Sequence, residues 1–224
     1  SYLTTEHPDA ALAYRGIAYV AASAYDLGSD ADVPNTSYEV ISNVRYSAAI
    51  KDANPKDIIA ELLTNAQYGG FFPSAKMGSL VDYSTYCIAS GLLLSPYYSE
   101  PQPLAQMLTK VAMLTNSDFV YSSKKLKLVS YADQSVTGNG KTWNPNLTAV
   151  YNLTDDQFLP ASGNEGPVRL LRKDPSQRYN HVRIKYYNRS RQYNEDVAEA
   201  KDEAQILKNG LRSMPYVEAY EVAD

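Results

Sequence analysis

The sequence predicts an α+β fold, with β-barrel-like flanks on either side of an inserted helical subdomain that carries a β-hairpin. Three observations carry this reading. Val182, Ile184 and Tyr186 alternate with Arg183, Lys185 and Tyr187, the period of a strand with one wet face. Between residues 54 and 114, three stretches repeat apolar side chains at helical spacing. Residues 119–121 and 125–129 are β-formers on either side of a short polar turn.

In chain order, the first 13 residues are polar and then Ala-rich, with little to anchor them. Residues 14–25 favour a strand, 26–35 a loop built on Gly28, Ser29, three Asp residues and Pro34, and 36–44 a second strand. Asn54 and Pro55 open a helix, because Pro lacks an amide that would go unpaired in the first turn anyway. Ile58, Ile59, Leu62, Leu63 and Ala66 line its buried face until Gly69-Gly70. A second helix is predicted over 83–93. A third follows Pro101 and Pro103, with Leu104, Met107, Leu108, Val111 and Leu114 on one side. After the hairpin come a loop from 133 to 145, a strand at 148–153, a turn at Asp155-Asp156 and a strand at 168–172 bounded by Pro167 and Pro175. Beyond the strand at 181–187, Asn194 is placed to cap a helix from about Glu195 to Lys208 that Gly210 terminates. A last strand runs from 216 to 222. The domain boundaries are therefore expected at 1–48, 49–133 and 134–224.

Composition narrows the function classes. A chain of 24.8 kDa buries roughly 70% of its unfolded surface. A formal charge of −4 argues against a partner held through nucleic-acid phosphates. No run of 18 apolar residues is present to span a bilayer. The chain has no basic-then-apolar leader and no initiator Met, and stops at Asp224 without a tail, so a piece of a longer protein is expected. Tyrosine is over-used, at 20 residues against 4 Phe and 1 Trp. Tyr packs as an aromatic and keeps a polar tip, which suits both interfaces and half-exposed strand faces.

Catalytic and metal signatures are thin. The single Cys87 sits in an apolar run and reads as a buried, inert thiol. His7 and His181 have no metal-ligand spacing, no C-x-x-C is present, and His181 reads as a hydrogen-bonded strand residue; no metal and no cofactor are expected. Gly138-Asn139-Gly140-Lys141-Thr142 lacks the first Gly of a phosphate loop, having Ser at 135, and Asn-Gly there reads as a hairpin turn. Asp155, Asp156, Glu165, Glu195, Asp196 and Asp202 could supply the two carboxylates of a glycosidase, but turns, helix starts and solvated faces use acids in any case. Sequons at Asn35, Asn146, Asn152 and Asn188 matter only in a secretory pathway. Seven arginines (169, 172, 178, 183, 189, 191 and 212) form a basic sector, read either as a solvated face balanced by nearby acids or as a charged subunit contact.

An Asn before a basic alternating strand, a Tyr-bearing linker, an Ala- and Asp-rich helix and a G-x-R ending together resemble the hub domain of phage tail-tip proteins. The residues are Asn180, Tyr193, Asp202, Gly210 and Arg212. That family includes the lambda-type tip attachment protein and the hub proteins of gene transfer agents. Residues 14–20, then Val33-Pro34 and Tyr38-Glu39-Val40, resemble an earlier strand pair of the family, and Asn54–Ile59 resembles its helix opening. The resemblance implies a trimeric, non-enzymatic ring that continues the tail tube and carries the spike or fibres. Its partners would be further copies of itself and other tube, tip and fibre proteins, in the tail tip of a virion. Tyr186, Tyr193, Arg183 and Arg212 are the residues expected at packing or subunit contacts. A receptor- or carbohydrate-binding module, a peptidoglycan-cleaving enzyme and the base of a type VI secretion spike stay open as alternatives.

Overall fold

The computed structural model describes residues 36–159, 170–172, 174 and 177–223, together with Thr5, residues 8–10, Val20 and Asp26 before them. The chain divides into two units, Ser1–Val40 and Ile41–Asp224. In the first, Pro8–Ala10 forms one 3-10 turn and residues 36–40 are irregular and exposed. The second unit carries all the sheets and the core described next.

Three helices build the core. Helix α1 (Pro55–Thr64) starts where expected: the Asn54 side chain accepts from the Lys56 amide at 2.9 Å, and its own amide donates to Ser84 Oγ at 2.8 Å. Asn54 thus caps one helix while tying it to α2 (Val81–Ala89). Ile58, Ile59, Leu62 and Leu63 of α1 are buried against Tyr83, Tyr86 and Cys87 of α2 and Val111 of α3 (Leu104–Leu114). Each such side chain fully removed from water contributes about 1.5–3 kcal/mol. The Tyr83 hydroxyl, fully buried, pairs with Thr115 Oγ1 at 2.8 Å, so burial leaves no orphan there. Burial pushes the Cys87 thiol up to about 12, which makes it the inert core thiol expected.

Two small hairpins close over the helices. Strands β1 (Ser117–Ser122) and β2 (Lys125–Ser130) pair antiparallel, turning at Ser123 and Lys124, both with positive φ. Strands β3 (Val136–Gly138) and β4 (Lys141–Trp143) turn at Asn139-Gly140, the hairpin expected of the phosphate-loop-like motif. Asn139 donates to the Ile88 carbonyl at the end of α2 at 2.9 Å. Trp143 enters the core edge-on to Tyr86, 4.9 Å between centroids, and its indole N–H meets Asp82 at 3.1 Å.

The third sheet has the order β6-β5-β7. Strand β5 (His181–Asn188) pairs antiparallel with β6 (Asn194–Lys201) and parallel with β7 (Val217–Ala223), with a bulge between Lys185 and Tyr187. Strand β7 faces the helical core: Val222 packs on it, the Ser95 amide donates to the Glu221 carbonyl at 2.6 Å, and Lys110 donates to the Glu218 carbonyl. Strand β6 is left at the free edge.

Several expectations are corrected. The predicted helix from Glu195 to Lys208 is instead strand β6 followed by a short helix, α4 (Glu203–Asn209). Asp202, not Asn194, is its cap, accepting from the Gln205 amide at 3.0 Å. The segment 195–201 is rich in helix formers, but from Val197 on it also alternates larger side chains (Val197, Glu199, Lys201) with Ala198 and Ala200, a period of two. Pairing with β5 wins over intrinsic propensity. Helix α2 stops at Ala89 rather than Leu93, because Gly91 turns the chain at φ +71° and Leu94 bridges to Ala53. Residues 36–42 form no strand; Tyr38 and Val40 stay exposed, and Arg45 makes a single bridge to Ala53. Residues 148–153 and 170–172 are irregular as well, with no strand paired to them among the described residues. The strand predicted at 14–25 falls outside the described residues except for Val20, and the loop at 26–35 except for Asp26, as do positions 168 and 169 of the strand at 168–172. The fold is α+β with small sheets, and among the described residues no sheet closes into a barrel.

Candidate functional site

The residues singled out around 180–212 gather at two ends of the β6-β5-β7 sheet. At one end Asn180 is a junction. Its amide nitrogen donates to the Gly210 carbonyl at 2.8 Å, and its side-chain oxygen accepts from the Arg212 N–H at 2.7 Å. Its main chain donates to the Arg212 carbonyl at 3.0 Å and accepts from Asp202 N–H at 2.9 Å. Asn180, Asp202, Gly210 and Arg212 therefore form one knot that pins both ends of α4 to the start of β5. Gly210 suits its place because its φ of +74° with ψ 167° is open only to glycine. Asn180, Asp202 and Arg212, with Arg178, Tyr179, Gln205 and Asn209, line a shallow cavity of about 260 Å³.

Next to the knot, His181 is buried between Ser213 Oγ (2.7 Å from Nδ1) and Glu199 Oε2 (3.1 Å from Nε2). Both ring nitrogens are engaged, as a structural strand residue requires. Arg183 lies 3.9 Å from the Tyr216 ring centroid and donates to its hydroxyl at 2.8 Å. Lys185 also lies over that ring, at 5.3 Å, and pairs with Glu195 at 3.0 Å. Tyr187 and Tyr220 stack at 4.9 Å, and the Tyr220 hydroxyl donates to Glu195 at 2.7 Å. That bond pushes the Tyr220 phenol up to about 12 and, with Lys185, holds the Glu195 carboxyl below its usual range. The result is a face of Tyr, Arg, Lys and Glu side chains that orient one another.

At the far end, Gln192 and Tyr193 turn the chain from β5 into β6 with φ of +58° and +59°. Arg189 in this turn reaches Asp52, ahead of α1, at 2.5 and 3.4 Å, and Asp52 also accepts from Ser95 at 2.5 Å. The Tyr193 phenol is a further partner of Arg189. So Arg183, Tyr186, Tyr193 and Arg212 do not form one patch. Arg183 and the half-buried Tyr186 lie within β5, Tyr193 at the turn and Arg212 in the knot. Sequence reading missed Tyr216, Tyr220 and Asp52, whose partners are 33, 25 and 137 residues away.

Among the described residues, no group of three or more His, Cys, Asp or Glu is placed to hold a metal ion. No helix among them is long and apolar enough to cross a membrane. The geometry is that of a braced, aromatic and charged surface. No curated protein matches the chain. Residues 104–221, from the start of α3 through most of β7 and just over half of the chain, match the family described as "Putative phage tail protein", and the chain belongs to that family of phage tail proteins.

Proposed function

We propose that the chain is a hub component of the tail tip, a ring-forming adaptor that joins the tail tube to the spike or fibres and works as a homotrimer. Family membership makes it a structural tail protein of a virion, with other tail proteins as partners; the hub position and the trimer are our addition. The observation that carries the reading is the β6-β5-β7 sheet. Its Tyr and Arg side chains are pre-oriented by ring stacking, by Arg183 over Tyr216 and by the Lys185–Glu195 pair. Side chains already held in one rotamer lose little entropy when a partner docks on them. On this reading Arg183, Tyr186, Tyr193 and Arg212 serve packing or subunit contact. The barrel-like walls would be completed by sheets from neighbouring copies, and residues 49–133 would form a helical unit set into that wall.

We read the protein as non-catalytic. A glycosidase needs one carboxyl raised in pKa to act as acid. Hydrogen bonds hold Glu195 and Asp196 below their usual range, and Asp202 spends its side chain capping α4. The test is the absolute mass of the purified chain by light scattering at two concentrations, together with antibody-gold labelling of virions. A trimer, or a monomer–trimer equilibrium, with label at the tail tip is the expected result. Label spread along the tube would overturn the hub position.

A further inference from the structure

We infer that the free edge of β6 accepts a strand from a second copy of this chain, and that residues 147–153 are that strand. The inference rests on the ring-forming reading above and names the contact that would build the ring.

The edge is eight residues long and lies at the outside of its sheet. Proteins usually guard such an edge with charges that project past it. Here the three carboxylates of β6 are drawn back toward its own sheet and turn. Glu195 is held by Lys185 and Tyr220, Asp196 by Asn188 and Arg191, and Glu199 by His181 and Lys201. The main-chain edge is left unguarded, as in sheets that recruit an extra strand.

The donor is named by its unspent strand signal. Residues 147–153 read Leu-Thr-Ala-Val-Tyr-Asn-Leu, with no charge and strong β-formers, yet they are irregular in the single chain. Leu147, Val150, Tyr151 and Leu153 are 57–80% exposed. Laid along β6 as a strand, the segment would present Leu147, Ala149, Tyr151 and Leu153 on one face and Thr148, Val150 and Asn152 on the other. The β6 register offers a matching pair of faces. Ala198 and Ala200 lie opposite Ile184 and Val182, a partly exposed apolar stretch that ends at Asp196 opposite Tyr186; Glu195, Val197, Glu199 and Lys201 lie on the polar face. An uncharged strand meets no repulsion from that acidic edge. A contact of this kind is head-to-tail, and such contacts build a ring when the rotation from copy to copy closes.

The test uses two single variants, Val150→Cys and Val197→Cys, mixed and treated with a short bis-maleimide. Cys87 stays unreactive because it is buried with a raised pKa. A cross-linked pair of chains in the mixture, abolished when Tyr151→Pro is added to the Val150→Cys chain, is the expected result. Tyr151 is 80% exposed, so Tyr151→Pro should leave circular dichroism and melting unchanged. Cross-linking within one chain of the double variant, with none in the mixture, would overturn the inference. So would cross-linking of Val197→Cys with itself. A trimer that forms without the cross-link and tolerates Tyr151→Pro would also overturn it, leaving the ring-forming hub intact. A strict monomer overturns it as well, with the tail-tip position then decided by the gold label.

Discussion

Asn180 makes four hydrogen bonds to three residues more than 20 positions away, two through its side chain and two through its main chain, which gives one residue control over how α4 sits on the sheet. Asn180→Ala leaves the Gly210 carbonyl and the Arg212 N–H without their partner. An expected loss of about 1–3 kcal/mol follows, read from the urea midpoint at constant slope. Asn180→Asp keeps the acceptor and loses the donor, so it should fall between wild type and alanine. Midpoints equal to wild type for both variants would remove the knot from the account. A second prediction concerns Gln192, an exposed residue held at φ +58°. The left-handed conformation costs a residue with a Cβ about 1–2 kcal/mol. Gln192→Gly relieves that cost, partly offset by the looser unfolded chain, for a net gain of about 0.5–1 kcal/mol. A lower midpoint for this variant would mean that the glutamine side chain contributes more than its backbone costs.

Beside its main-chain ladder to β5, strand β6 is tied down by ionised carboxylates, and this gives it a pH dependence of its own. Glu195 is lowered first by Tyr220 and then by Lys185, Asp196 first by the Val197 amide, and Glu199 first by Lys201 and then by His181. Carboxyls with lowered folded pKa values stabilise the fold above their unfolded values of about 4. That contribution is lost as pH falls through the lowered folded values. Amide exchange in β6, corrected for its intrinsic rate, should therefore rise on acidification before that of α3, which contains no acidic residue. Equal protection of both elements down to pH ~2 would contradict this. The same strand explains where sequence reading failed. Asn54-Pro55 and Asn139-Gly140 could be read because a cap and a tight turn are decided by adjacent residues. Residues 195–201 could not, because Ala, Glu and Lys favour a helix while the charges that pair them with Lys185 and His181 belong to another strand. The segment 147–153 shows the converse: the strand signal is legible, and among the described residues no strand pairs with it.

Across the Ile41–Asp224 unit, the sheet and the helical core are joined at few points, and one of them is a partly buried ion pair. Asp52 binds Arg189 and Ser95 with only 17% of its side chain exposed. Asp52→Ala should cost about 1–3 kcal/mol and loosen the 189–193 turn, because it takes the carboxylate from a largely covered guanidinium. Exchange at Gln192 and Tyr193 that matches wild type would show that the turn is held otherwise. Asn180, Asp202, Gly210 and Arg212 were recognisable from sequence and do meet in space. The pairing of Arg183 with Tyr216 and of Arg189 with Asp52 was not, since sequence carries no distance between residues so far apart.

The docking of β7 on the core sets an order in time. Lys110 and the Glu218 carbonyl that it binds are 108 residues apart. At the usual pace of synthesis, that separation means a delay of roughly 5–20 s between the two leaving the ribosome. The helices can gather during that interval, while β5 still lacks its parallel neighbour. On the ring-forming reading proposed above, the sheet that would meet other subunits is therefore the last part of the unit to be completed, after the helical core.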